Sequence, residues 1–212
     1  TGVFGKSDSD TSFHFSSELD AASLPSANTN PYLQFNIRDN GYEKGQVAHI
    51  SFNLARSGGS TNMYVQVRPN TEDGESKWFS LQSALSLRTW IENGDVILIN
   101  DQQHSDNLEY GRWYKIDLVY YPLYDTVVDG ASGEYTVMDM YIDGEKILDK
   151  FVMDADGYMD GYQTMMGISF IRFAFDPRSA DGVYPKTDIY LDDIKYELLD
   201  EDPTIADSSE YI

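Results

Sequence analysis

Trp113–Ile147 reads WYKIDLVYYPLYDTVVDGASGEYTVMDMYIDGEKI, and its periodicity decides the fold. From Trp113 to Tyr121, the side chains of Tyr114, Ile116, Leu118 and Tyr120 share one face, and Trp113, Lys115, Asp117 and Tyr121 share the other. A period of two marks a strand with one face in a core and one toward solvent or a ligand. Glu134–Ile142 repeats the pattern with Met138, Met140 and Ile142. Asp143-Gly144 then closes a hairpin, because a type I′ turn needs positive φ at both central positions and Asp-Gly supplies it. The stretch between the two strands reads as a connecting loop.

Working outward, the same alternation recurs at short intervals. Thr11–Leu19, with Phe13 and Phe15 on one face, and Pro31–Arg38, with Leu33, Phe35 and Ile37, are the first candidate strands. Gln46–Ala55 turns Ala48, Ile50, Phe52 and Leu54 inward and His49, Ser51 and Asn53 outward. After the Ser57–Ser60 turn, Asn62–Arg68 places Met63, Val65 and Val67 inward and Tyr64, Gln66 and Arg68 outward. Trp78–Gln82 is a short strand. Leu85–Glu92 has Leu85, Leu87 and Ile91 inward, with Arg88, Trp90 and Glu92 outward. Asn93-Gly94 is a further I′ signal before Asp95–Asn100. A long connection at 149–167 leads to the closing strands Ile168–Phe175 and Thr187–Leu199. Many short strands, glycine-containing turns and no long amphipathic helix predict an all-β fold, an antiparallel two-sheet β-sandwich of jelly-roll type. Residues 1–10 read as a lead-in, 11–199 as one domain, and 200–212 as an acidic tail or linker.

Charge and composition narrow the function. The formal net charge of −21 disfavours nucleic acid and anionic membrane surfaces as partners, and weighs against polyanionic glycans. Cysteine is absent, so no disulfide framework, thiolate nucleophile or thiolate metal site exists. No apolar run reaches the roughly 18 residues of a membrane span. The chain does not begin with Met, which fits a mature fragment or one module of a longer polypeptide. A monomer is the expectation.

Trp113-Tyr114-Lys115-Ile116 followed by Met140-Tyr141-Ile142-Asp143-Gly144 resembles the W-x-x-φ…φ-Y-φ-D-G pattern of concanavalin A-like jelly rolls of the laminin-G or laminarinase type. Ile189–Lys195 is similar to the closing strand of many bacterial carbohydrate-active jelly rolls. The resemblance covers about the second half of the chain. It implies a secreted or cell-surface protein that recognises glycan, with a bacterial carbohydrate-binding module as the leading class. It also implies a structural Ca²⁺ near the last strand, with Asp192 or Asp193 as a carboxylate ligand, since calcium takes hard oxygen donors. Fold alone does not fix function.

Sugar sites combine aromatic platforms, which take C–H surface out of water, with planar polar side chains that pair the hydroxyls. The outward positions of the first half supply such a set. Trp90 and Tyr64 are the stacking candidates, and Gln66, Arg68, Arg88, Asn53, His49 and Glu92 are the polar ones. The leading reading is a non-catalytic module binding a plant-type polysaccharide, β-glucan or hemicellulose, on a concave sheet face. Trp113 reads as packing and His14 as structural, while Trp78 fits either a rim platform or a packing anchor.

Two other classes stay open. A hydrolase needs paired carboxyls on the ligand face, and the Glu-x-Asp-x-(x)-Glu motif of laminarinase-type jelly rolls is missing. Lyases of this fold carry Gln-Ile/Val-His; Gln46-Val47-Ala48-His49 is one residue longer, and the companion motifs are missing. A lyase with a non-standard site could still use His49, Tyr64, Arg68 and Arg88 from one shared outward face. A protein-interaction or adhesion module is the third reading.

Overall fold

A computed structural model of the chain describes residues 12–17, 32–38, 41–56, 62–70, 86–90, 94–99, 102–103, 109, 111–152, 166–176 and 187–205. Its strands are β1 (Phe13–Ser17), β2 (Tyr32–Asn36), β3 (Val47–Arg56), β4 (Asn62–Asn70), β5 (Ser86–Trp90) and β6 (Gly94–Ile99). They continue with β7 (Gln102–Gln103), β8 (Trp113–Val128), β9 (Ala131–Ile142), β10 (Glu145–Val152), β11 (Gly167–Asp176) and β12 (Thr187–Leu199). No helix occurs among the described residues. The expected strand Trp78–Gln82, along with Glu92 and Asn93, lies outside them.

Two six-stranded sheets form, a back sheet ordered β1-β12-β3-β8-β9-β10 and a front sheet ordered β2-β11-β4-β5-β6-β7. Neighbouring strands run antiparallel throughout. β12 lies between β1 and β3 in the back sheet, and β11 lies between β2 and β4 in the front one. The successive pairs β1/β2, β3/β4 and β11/β12 therefore cross between sheets side by side. That winding is the predicted jelly-roll sandwich.

The alternation read from sequence fills the space between the sheets. Ile50, Phe52, Leu54, Ile116, Leu118 and Met138 come from the back sheet, and Met63, Val65, Val67, Ile171 and Phe173 from the front. Phe52 meets Phe173 across the core edge to face, with centroids 5.0 Å apart at 82°.

The central hairpin is longer than its sequence reading. The stretch taken as a loop is strand on both sides, closed at Asp129-Gly130 with φ of 50° and 82°. A β-bulge between Tyr121 and Tyr124 explains this. Pro122 sits in the bulge, where its missing N–H costs the ladder nothing, and its carbonyl accepts a bond from Thr136 Oγ1 at 3.1 Å. Asp143-Gly144 forms the expected turn, with φ of 50° and 81°. The Asp143 carboxylate braces it, accepting from the Lys115 amide at 2.8 Å and Arg112 Nη2 at 2.6 Å. Gly130→Ala is expected to lower stability by about 1 kcal/mol through left-handed strain, read as an earlier urea midpoint. An unchanged midpoint would mean that the turn relaxes.

One expectation needs correcting. Asp117 does not face solvent; it is fully buried on the outer side of the back sheet, as is Asp139. The last strand is irregular at its acidic pair. A bulge between Asp192 and Lys195, with Asp193 at φ 49°, breaks the alternation there.

Candidate functional site

On the front sheet, pairing register decides which outward positions meet. Gln34, Arg172 and Gln66 form one row across β2, β11 and β4; Asn36, Phe170 and Arg68 form the next; and Tyr32, Ala174 and Tyr64 form the one on the other side. Tyr64 pairs with Ser86, so positions 88 and 90 of β5 belong to the same sheet face. Register thus puts positions 64, 66, 68, 88 and 90 on one face of the sheet. The sequence reading missed Tyr32, Gln34, Asn36, Phe170 and Arg172. The alternation of Pro31–Arg38 had already turned three of them outward, but only the strand order sets them beside β4.

Arg172 is the centre of this face. Its Nε and Nη2 donate to Gln34 Oε1 at 2.9 and 2.6 Å. The Gln34 amide in turn donates to Asn36 Oδ1 at 2.9 Å. The guanidinium lies over the Tyr32 ring at 4.1 Å and the Phe170 ring at 4.9 Å. Such stacking holds a planar donor fork in one orientation. Tyr32 is 57% exposed, so one of the two rings is open to a ligand.

His49 and Asn53 do not join this face. They lie on β3, in the back sheet, and their side chains point away from the core on the far side of the molecule. The four-residue lyase set of His49, Tyr64, Arg68 and Arg88 is therefore divided between two sheets, because β3 belongs to one and β4 and β5 to the other.

The back-sheet outer face carries its own polar layer. His49 Nε2 lies 2.8 Å from Asp117 Oδ1, and its Nδ1 is 3.9 Å from Glu197. Asp117 Oδ2 has no hydrogen-bond partner, and the Lys115 ammonium is 3.6 Å away. A cavity of about 570 Å³ opens above, lined by His49, Ser51, Asn53, Lys115, Lys195 and Glu197 among others. Residues 201–204 are also part of the lining. Further along the sheet, Asp139 accepts from Lys150 Nζ at 2.7 Å, the Lys150 amide at 2.6 Å and Lys146 Nζ at 3.0 Å. Burial alone would raise its pKa, but the bonds from Lys150 and Lys146 outweigh that and hold it below the usual carboxylate range.

For calcium, Asp193 Oδ2 accepts from Asn53 Nδ2 at 2.7 Å and Asp192 Oδ1 from the Asp193 amide at 2.8 Å. A calcium shell takes about six to eight oxygens. Among the described residues no group of three or more His, Asp or Glu side chains is placed to hold a metal. These two aspartates do not by themselves fit the ion.

No helix among the described residues is long and apolar enough to cross a membrane. No protein-family profile and no curated protein matches the chain. Among solved structures it is similar to a mutant of the alginate lyase Aly36B in complex with an alginate trisaccharide (TM-score 0.49, 9% identity, covering 79% of this chain and 75% of that one). It is also similar to a botulinum neurotoxin type C structure (TM-score 0.42, 15% identity, 94% of this chain and 40% of that one). A third is the globular domain of T. cruzi calreticulin (TM-score 0.39, 13% identity, 76% and 69%). At these scores the likenesses add nothing to the topology traced strand by strand above.

Proposed function

We propose that the protein is a secreted or cell-surface glycan-binding domain of the concanavalin A-like class. Its front sheet would hold a neutral plant-type polysaccharide. The observation that carries this reading is the Gln34–Arg172 pair framed by Tyr32 and Phe170. It sets planar amide and guanidinium groups against aromatic rings on one sheet face, the combination that pairs sugar hydroxyls and covers sugar C–H surface. Tyr64, Gln66, Arg68, Arg88 and Trp90 extend the same face along β4 and β5. A polysaccharide lyase is the second reading, because a guanidinium beside an amide also suits a uronate carboxylate. The net charge of −21 disfavours that substrate.

Affinity electrophoresis through gels carrying xyloglucan, mixed-linkage β-glucan, mannan, xylan or pectin tests the proposal. Retardation by at least one neutral polymer is expected, and Arg172→Ala should weaken it by about tenfold, the scale of a lost charged hydrogen-bond pair. The same mixtures assayed for reducing ends and unsaturated uronate separate binding from cleavage. Release of products would move the lyase reading to first place.

A further inference from the structure

The back-sheet cavity lies on the side of the molecule away from the front face, and its walls are built differently. We propose that it is a second site, selective for sugars bearing a protonated amine. Three observations converge on it.

The first is charge. The lining includes the ammonium groups of Lys115 and Lys195 against the carboxylates of Asp193, Glu197, Glu201 and Asp202. Lys195 is held by Glu197 at 2.8 Å, whereas Glu201 and Asp202 make no ion pair with any described residue. The second is Asp117, a fully buried carboxylate set among lining residues. It is bonded to His49, in register with Ser51 and 3.6 Å from the Lys115 ammonium, and its Oδ2 lacks a hydrogen-bond partner. With Asp117 counted, five carboxylates stand against the two ammonium groups here, and a buried carboxylate acts where solvent screens least. The cavity therefore favours a cation.

The third observation makes the cation a sugar. Ser51, Asn53 and Thr204 put hydroxyl and amide groups into the lining. One row away, about 7 Å along the strands, the same face carries aromatic rings across β1, β12 and β8. His14 stacks on Tyr190 at 4.3 Å and 3°, and Trp113 meets Tyr190 at 6.4 Å. A pyranose chain can lay an apolar ring face on Tyr190 or Trp113 while a neighbouring unit enters the acidic cavity. This site shares no residue with the front face and does not depend on it.

The probes are the glucosamine tetrasaccharide and its fully N-acetylated counterpart, which differ in amine charge on one backbone. Calorimetric titration at mildly acidic pH should show the free amine form binding at least tenfold tighter. The double variant Glu201→Gln/Asp202→Asn, on exposed positions, should lose most of that preference. Glu145→Gln, an exposed carboxylate on β10, and Arg172→Ala on the front face should leave it intact. Tyr190→Ala should weaken both probes. Equal binding of the two probes, or no binding, would overturn the proposal. So would equal loss in Glu145→Gln, which is the mark of non-specific attraction to an acidic protein. Tighter binding of spermidine than of the tetrasaccharide would overturn the sugar assignment. Loss of polysaccharide retardation in Arg172→Ala with amine-sugar binding retained would separate the two sites.

Discussion

Phe173→Ala is expected to destabilise the fold by about 3–5 kcal/mol, the range for deleting a buried aromatic ring. Phe173 is fully buried. Its ring meets Phe52 of the opposite sheet at 5.0 Å and Phe35 of the neighbouring strand at 6.4 Å, both edge to face. Truncation removes ring burial and both aromatic contacts, and leaves a void between sheets that the flanking strands close only in part. Against a typical total of about 5–15 kcal/mol, the variant should sit near the edge of folding. Phe173→Leu, which keeps most of the volume, should cost about 1–2 kcal/mol. Urea unfolding with an unchanged slope would read both. A loss below about 1 kcal/mol for the alanine variant would mean that the two sheets do not meet at this residue.

Asp139→Ala is the second large effect, expected at about 2–3 kcal/mol. The carboxylate ties together two lysines and a bulge. Lys150 stands at φ 48° within the irregular part of β10, and Asp139 accepts from both its amide and its ammonium. The Lys150 ammonium also lies 3.6 Å over the Tyr121 ring. Removing the acid leaves an orphaned amide and two clustered cations. The lysines keep some contact with water, so the cost falls below that of a fully buried pair. Folding holds this carboxyl below its unfolded value of about 3.9, so its stabilisation is complete above that pH. It is lost as pH falls through the lower folded value. Unfolding free energies measured downward from neutral pH should therefore fall more steeply in the wild type than in Asp139→Asn. Parallel curves would contradict the role given to Asp139.

Much of the fold was legible because its strands alternate cleanly. In β3, β4 and β8 the residues that the period of two turned inward are buried, Ile50, Phe52, Val65, Val67, Ile116 and Leu118 among them. Alternation fails where a bulge inserts a residue, which is why the stretch after Tyr121 reads as a loop. Polarity misleads in a different way at Asp117 and Asp139. A carboxylate reads as exposed, yet a sheet's outer face can bury one when basic side chains fold over it. Positions 64, 66 and 68 alternate along one strand, and β5 follows β4 in both chain and sheet, so local reading reaches that part of the candidate face. Arg172 and Gln34 are 138 residues apart in the chain. Only the crossing of β2, β4 and β11 into one sheet brings them together, and the same crossing carries His49 and Asn53 to the other.

The most direct measurement is an amide NMR titration of the isotope-labelled chain with xyloglucan and mixed-linkage β-glucan oligosaccharides. Shifts that saturate with ligand and map to β2, β11, β4 and β5, with the Arg172 and Gln34 side-chain signals among the most perturbed, are the predicted result. Shifts confined to the back sheet, or none with any neutral oligosaccharide, would contradict glycan binding on the front face.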